Sequence, residues 1–175
     1  MESVKNNLIF SLDAWPEAGY DCDFVLSQGV LSDILAFEDC QGETPRILTS
    51  MRGHVKLELT GRRLTVKGSF AVKVELLCHR CLSPFDGRVD DIFSDQVNLA
   101  DPGQGRESAQ VNEDTQVISL VGQSFDLAPL MAEFFWLAWP YKALCQTDCA
   151  GLCPKCGANL NEGSCYCDTD QPTKH

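Results

Sequence analysis

Ten cysteines are the residues of this chain whose type and spacing could do chemistry. Eight of them fall into short motifs: Cys78-His79-Arg80-Cys81, Cys145-x3-Cys149, Cys153-Pro154-Lys155-Cys156-Gly157 and Cys165-Tyr166-Cys167. Two thiolates two residues apart can close on one tetrahedral ion. A glycine after the second permits the tight turn that aims backbone N–H groups at sulfur. An all-thiolate donor set is soft and selects zinc or iron–sulfur chemistry, and the compact Cys-Pro-Lys-Cys-Gly turn favours zinc. The eight sulfurs suffice for two four-thiolate sites, so one or two zinc ions are expected. The preferred arrangement joins Cys153, Cys156, Cys165 and Cys167 around one ion, and Cys78, Cys81, Cys145 and Cys149 around the other. The loop from Gly157 to Ser164 is shorter than the common ribbon spacing of roughly 15–20 residues. A rival arrangement has a single ion, with Cys149 or Cys145 completing Cys153 and Cys156.

Cys78-His79-Arg80-Cys81 also admits a redox reading. A dithiol exchanger carries its Cys-x-x-Cys at a helix N-terminus, where the helix dipole lowers the thiol pKa. Here the motif ends a strand pattern and precedes Leu82-Ser83-Pro84, so that support is missing. His79, inside the turn, reads as a surface histidine rather than a ligand. Cys22 and Cys40 stand alone and read as small core or surface residues. No nucleophile–base–orienter set is visible among the three histidines His54, His79 and His175, and there is no glycine-rich phosphate loop. The chain does not read as an enzyme.

These sulfurs need a scaffold to bring them together. The chain has 175 residues, 44% of them hydrophobic, which is enough for one ordinary domain with an appendage. No stretch approaches the roughly 20 apolar residues of a membrane helix. The start, Met1-Glu2-Ser3-Val4-Lys5-Asn6-Asn7, lacks the basic and apolar regions of a signal peptide. A cytoplasmic protein without membrane contact or small-molecule substrate is expected, and in a reducing compartment its cysteines are not disulfides by default. The net charge of −11 is unevenly spread. Residues 1–45 and 90–133 are acidic, whereas residues 46–80 hold eight bases and two acids. Overall acidity disfavours nucleic-acid binding across the whole surface and suits a basic protein partner.

The clearest secondary-structure signal is the basic segment. Val55, Leu57 and Leu59 alternate with polar residues, Gly61-Arg62 makes a turn, and Leu64, Val66, Phe70, Val72, Val74 and Leu76 continue on one parity. Period two with one polar face predicts a half-buried antiparallel hairpin. Lys56, Arg63, Lys67 and Lys73 then share its outward face, with Arg62 and Arg80 nearby, as candidate contacts to RNA phosphates. Gly68 predicts a bulge or bend in the second strand. Shorter strands are expected at 8–12, 24–26 and 116–121, with returning strands over 85–99 and a turn or two of helix over 30–37. Asp126 and Pro129 open a helix through Leu127, Leu130, Met131, Phe134 and Ala138, which Trp139-Pro140 ends. The fold class is α+β: an antiparallel β-sheet or partly open barrel packed by one or two helices. Residues 1–140 form the core, and residues 141–175 form a cysteine-rich, metal-stapled tail docked on it, because that tail has too little apolar surface to fold alone.

Taken together, Cys78-x-Arg80-Cys81-Leu82-x-Pro84-Phe85, the helix opened by Asp126-Leu127, and Cys149-Ala-Gly-Leu-Cys153-Pro-x-Cys156-Gly-x-Asn159-Leu-Asn161 followed by Cys165-x-Cys167 resemble the bacterial YceD family. The family is described as large ribosomal RNA subunit accumulation proteins, with relatives in plastids. The resemblance implies a non-enzymatic factor in large-subunit ribosome biogenesis. Its partners would be a ribosomal protein of the large subunit or a pre-ribosomal particle, and possibly ribosomal RNA. Two other classes remain open at this stage: a zinc-stapled adaptor for a non-ribosomal protein, and a thiol redox protein.

Overall fold

The computed structural model describes residues 5–37, 45–100, 117–165 and 167. Cys40 and the polar loop from Asp101 to Ser108 lie outside them. The elements run β1 (Ile9–Ser11), β2 (Tyr20–Leu26), α1 (Gln28–Phe37), β3 (Met51–Thr60), β4 (Arg63–Leu77), β5 (Pro84–Ala100), β6 (Val117–Ser119), β7 (Ser124–Asp126) and α2 (Ala128–Leu137).

The chain is α+β with a mostly antiparallel sheet and no closed barrel. Five strands form the main sheet in the order β2-β3-β4-β5-β6, and β1 pairs with β7 in a small second sheet. The hairpin forms as its period predicts. Thr60 pairs with Arg63 across the two-residue loop Gly61-Arg62, and Gly61 has φ 62°, the backbone that the first position of such a turn requires. The 85–99 region is one continuous strand, whose long pairing with β4 runs from Arg63↔Asn98 to Leu77↔Pro84. β6 joins β5 in parallel, an edge that an alternating pattern could not disclose.

Gly68 is not a bulge. It keeps regular register with Val55 on one side and Phe93 on the other. Its glycine is needed for room: a Cβ there would collide with the His54 carbonyl and the Phe93 ring. Gly68→Ala is therefore expected to destabilise the fold by about 1–3 kcal/mol through overpacking. A denaturant midpoint equal to that of the parent protein would refute this account.

Among the described residues, one face of the main sheet is covered. Val55, Leu57, Leu64, Val66, Phe70, Val72 and Val74 on that face are buried. From α2, Phe134 stacks on Phe93 with ring centroids 4.3 Å apart, and Leu130, Met131 and Phe135 are buried beside it. Asp126 ends β7, one residue before the helix cap at Leu127. Its carboxylate still accepts the Ala128 N–H at 2.9 Å, satisfying one of the free donors of the first turn. Among the described residues, the side chains of the opposite face are exposed or half-buried, and the β4–β5 turn projects from one end. Residues 141–165 and Cys167 add no helix or strand to these elements.

Candidate functional site

The β4–β5 turn carries Cys78 and Cys81, and the tail folds back onto it. The His79 N–H donates to the Ala143 carbonyl at 2.9 Å, and the Ala143 N–H donates to His79 Nδ1 at 3.1 Å. His79 is thus a latch for the tail rather than a ligand. The Arg80 guanidinium donates to the Cys149 carbonyl at 2.9 Å. These bonds bring Cys78, Cys81, Cys145 and Cys149 together, with all four sulfurs within 4.8 Å of one another. Cys78, Cys81 and Cys149 are buried against Phe85, Leu144 and Leu152.

A second cluster gathers Cys153, Cys156, Cys165 and Cys167 within the same limit. It is more open: Cys153 is buried, Cys156 is exposed, and the other two are intermediate. The short 157–164 loop closes because it doubles back as a tight hairpin. Leu152 bridges Asn159, Cys153 N–H donates to Ala158, and Leu160 N–H donates to Gly151.

The sulfur separations test what these clusters can hold. Cys78 and Cys149 lie 3.7 Å apart, as do Cys81 and Cys145. A disulfide would need about 2.05 Å. Four sulfurs about 2.3 Å from a tetrahedral ion sit about 3.8 Å from one another, and these two separations in the inner cluster match that edge length. Cys153 and Cys165 are closer, at 3.3 Å. The donor set is all thiol, so both clusters fit a soft tetrahedral ion.

The two Cys-x-x-Cys turns are built alike. Arg80 N–H points at Cys78 sulfur at 3.5 Å, and Lys155 N–H points at Cys153 sulfur at 3.4 Å. Leu82 N–H returns to the Cys78 carbonyl at 2.9 Å, and Gly157 N–H to the Cys153 carbonyl at 2.8 Å. Gly157 has φ 74°, and Leu82, at the equivalent position, has φ 57°. A leucine thus occupies a left-handed backbone that costs it about 1–2 kcal/mol, with its side chain exposed.

The family now follows from comparison. The sequence profile described as "Large ribosomal RNA subunit accumulation protein YceD" matches residues 66–175, more than half of the chain and all eight clustered cysteines. The chain belongs to the YceD family. This YceD protein is also 32% identical over 108 residues to uncharacterized proteins of Mycobacterium tuberculosis and Mycobacterium bovis. The match covers 61% of the chain and 49% of each relative, so the chain spans about half the length of the curated relatives it matches. No solved structure matches it.

The thiols of this YceD protein differ sharply in acidity. Burial works to raise Cys78, but N–H donors from Cys145, Cys81 and Arg80 outweigh it and bring the thiol down to about 5. Burial and the neighbouring thiols Cys78, Cys81 and Cys149 push Cys145 up to about 12. In the second cluster, the N–H groups of Cys156 and Lys155 lower Cys153 to about 6, whereas the Cys156 thiol and burial push Cys167 up to about 12. At neutral pH each cluster therefore holds at least one ionised sulfur and at least one protonated one. An incoming ion must displace that proton, so raising the pH favours the loaded form. Apparent affinity is expected to climb at least about tenfold per pH unit from 6 to 8, with proton release measurable by calorimetry in buffers of different ionisation heat. A flat profile would remove these sulfurs as ligands.

The solvent face of the sheet carries the other candidate residues. Lys56 stands opposite Lys67 in register, and Lys73 opposite Arg88. Several cations are already neutralised: Lys56 by Glu58 at 2.8 Å, Arg88 by Asp90 at 2.9 Å, and Arg46 by Glu75 at 3.2 Å. His54 is bracketed by Asp21 at 2.8 Å and Asp23 at 3.0 Å. Arg63, Lys67 and Lys73 form no ion pair among the described residues and share one side of β4. Arg62 lies in the turn and donates to the Leu99 carbonyl at 3.3 Å, and Arg80 is tied to the cysteine cluster. Neither joins the β4 row. The structure adds Arg52, which pairs with Ala71 and borders the shallow grooves left by Ser69 and Ala71. Its parity with Lys56 was available in the sequence.

No helix among the described residues is long and apolar enough to cross a membrane.

Proposed function

We propose that this YceD protein is a non-enzymatic factor for biogenesis of the large ribosomal subunit, acting in the cytoplasm and binding a large-subunit protein or precursor RNA. In this reading, residues 1–140 form the core and residues 141–175 a tail stapled to it by two zinc ions. Cys78, Cys81, Cys145 and Cys149 hold the inner ion, and Cys153, Cys156, Cys165 and Cys167 the outer one. The ions would be structural: they shape a surface and carry out no reaction. The β4 row of Arg63, Lys67 and Lys73, with Arg52 beside it, faces RNA phosphates.

The observation that carries this reading is the family match spanning both cysteine clusters. A second supports the non-enzymatic part. A thiol enzyme must present its ionised sulfur to a substrate disulfide, but Cys78, the most acidified thiol, is wholly buried. The test is co-sedimentation of the purified protein with precursor large-subunit particles, paired with depletion in cells. Association with the particles and a fall in large-subunit ribosomal RNA are expected. Absence of both would overturn the reading.

A further inference from the structure

We propose that Asn161 couples the two cysteine sites, so that an ion in the outer site tightens the inner one. The inference rests on the reading that both clusters hold metal. Asn161 lies between Cys156 and Cys165, in the loop that outer-site ligation must fix in place. Its carboxamide nevertheless acts on the inner site. Nδ2 donates to Cys149 sulfur at 3.3 Å. Oδ1 accepts the Ala150 N–H at 2.8 Å and the Gln146 side-chain amide at 3.1 Å. Ala150 follows Cys149 and Gln146 follows Cys145, so one side chain bonds the Cys149 sulfur directly and the residue after each of the two tail ligands of the inner cluster. Asn159 from the same loop fixes Asn161 in turn: its Oδ1 accepts the Asn161 N–H at 3.1 Å and Nδ2 at 2.7 Å.

The physical reason is charge. Four thiolates around a divalent cation carry a net charge of −2, and most of the inner site is buried. An N–H donor on sulfur spreads that charge and fixes the ligand's orientation; losing such an outer partner typically lowers metal affinity about 10–100-fold. Here the donor is supplied by a loop whose order depends on a different ion. Coupling of this kind is reciprocal, so filling the inner site also favours the outer one.

Cadmium titration of the full chain, followed by 113Cd NMR and chelator competition, tests this. Cys153→Ser removes the outer signal and so assigns the inner one. In the otherwise native protein, Asn161→Ala is expected to weaken the inner site about 10–100-fold. In the Cys153→Ser background, where the loop is released, the same change should add less than about twofold, because the two losses share one cause. Asn161→Asp keeps the acceptor oxygen but loses the sulfur donor, and should be at least as weak as Asn161→Ala. Inner affinity unchanged in either Asn161 variant, or equal losses in both backgrounds, overturns the coupling. Fewer than two ions per native chain overturns the two-site reading itself, so the two failures are distinguishable.

Discussion

Replacing Cys78 with serine should cost the inner ion and the docking of the tail together. Cys78 sits at the end of β4, fully buried, with its N–H donated to the Ser83 carbonyl at 3.0 Å. Its sulfur is 3.7 Å from that of Cys149. A buried serine hydroxyl does not ionise to replace a thiolate ligand. Binding energy at a structural zinc site is folding energy, on the order of 10 kcal/mol in isolated finger peptides. Zinc per chain should fall from two to at most one, residues 141–167 should become open to protease, and the thermal midpoint should drop by well over about 5 °C. Cys153→Ser provides the contrast. It too should lose an ion, but its cluster is more exposed and the inner ion remains, so the fall in the thermal midpoint should be clearly smaller than in Cys78→Ser. Full zinc content in Cys78→Ser would show that the inner ligands are wrong.

The second large effect concerns the solvent face of the sheet. Lys67→Glu combined with Lys73→Glu should leave the fold intact, since both side chains point to solvent from β4. It should nevertheless weaken association with precursor particles strongly at low salt. Each phosphate contact contributes about 0.7–0.9 to the slope of log affinity against log salt, so losing two lowers that slope by about 1.5. Lys56→Glu serves as a comparison, because Lys56 is already held by Glu58 and should matter less. A salt slope unchanged in the double variant would exclude this face as the RNA contact.

Much of this was legible in the sequence, for identifiable reasons. The β3–β4 hairpin declares itself because one face is buried and the other wet, which leaves strict alternation from Val55 to Leu76. The partition of eight cysteines into two clusters was legible because each motif's internal spacing suits one ion, and Cys78 and Cys81 need partners from elsewhere in the chain. The misreading of Gly68 had a definite cause: a glycine inserted for a close approach and one inserted for a bulge look the same until the neighbouring Phe93 is placed. The neutralisation of Lys56 and Arg88 was also hidden. It arises from carboxylates two residues away on the same strand face, and a sum over charges blurs such local pairs. Asn159 and Asn161 stand in the motif that carries the family resemblance, but nothing in the sequence discloses what they bond, because asparagines in a turn ordinarily serve only the turn.

Cys81 and Cys145 are separated by 64 positions. With an ion between them, the stretch holding β5, β6, β7 and α2 becomes a closed ring. Its two ends can no longer drift apart when the core melts, and the denatured chain is denied its most expanded shapes. A disulfide of that span would remove a comparable freedom, about 4 kcal/mol. Coordination can impose the same constraint without an oxidant, and withdrawal of the ion turns the ring back into an open string.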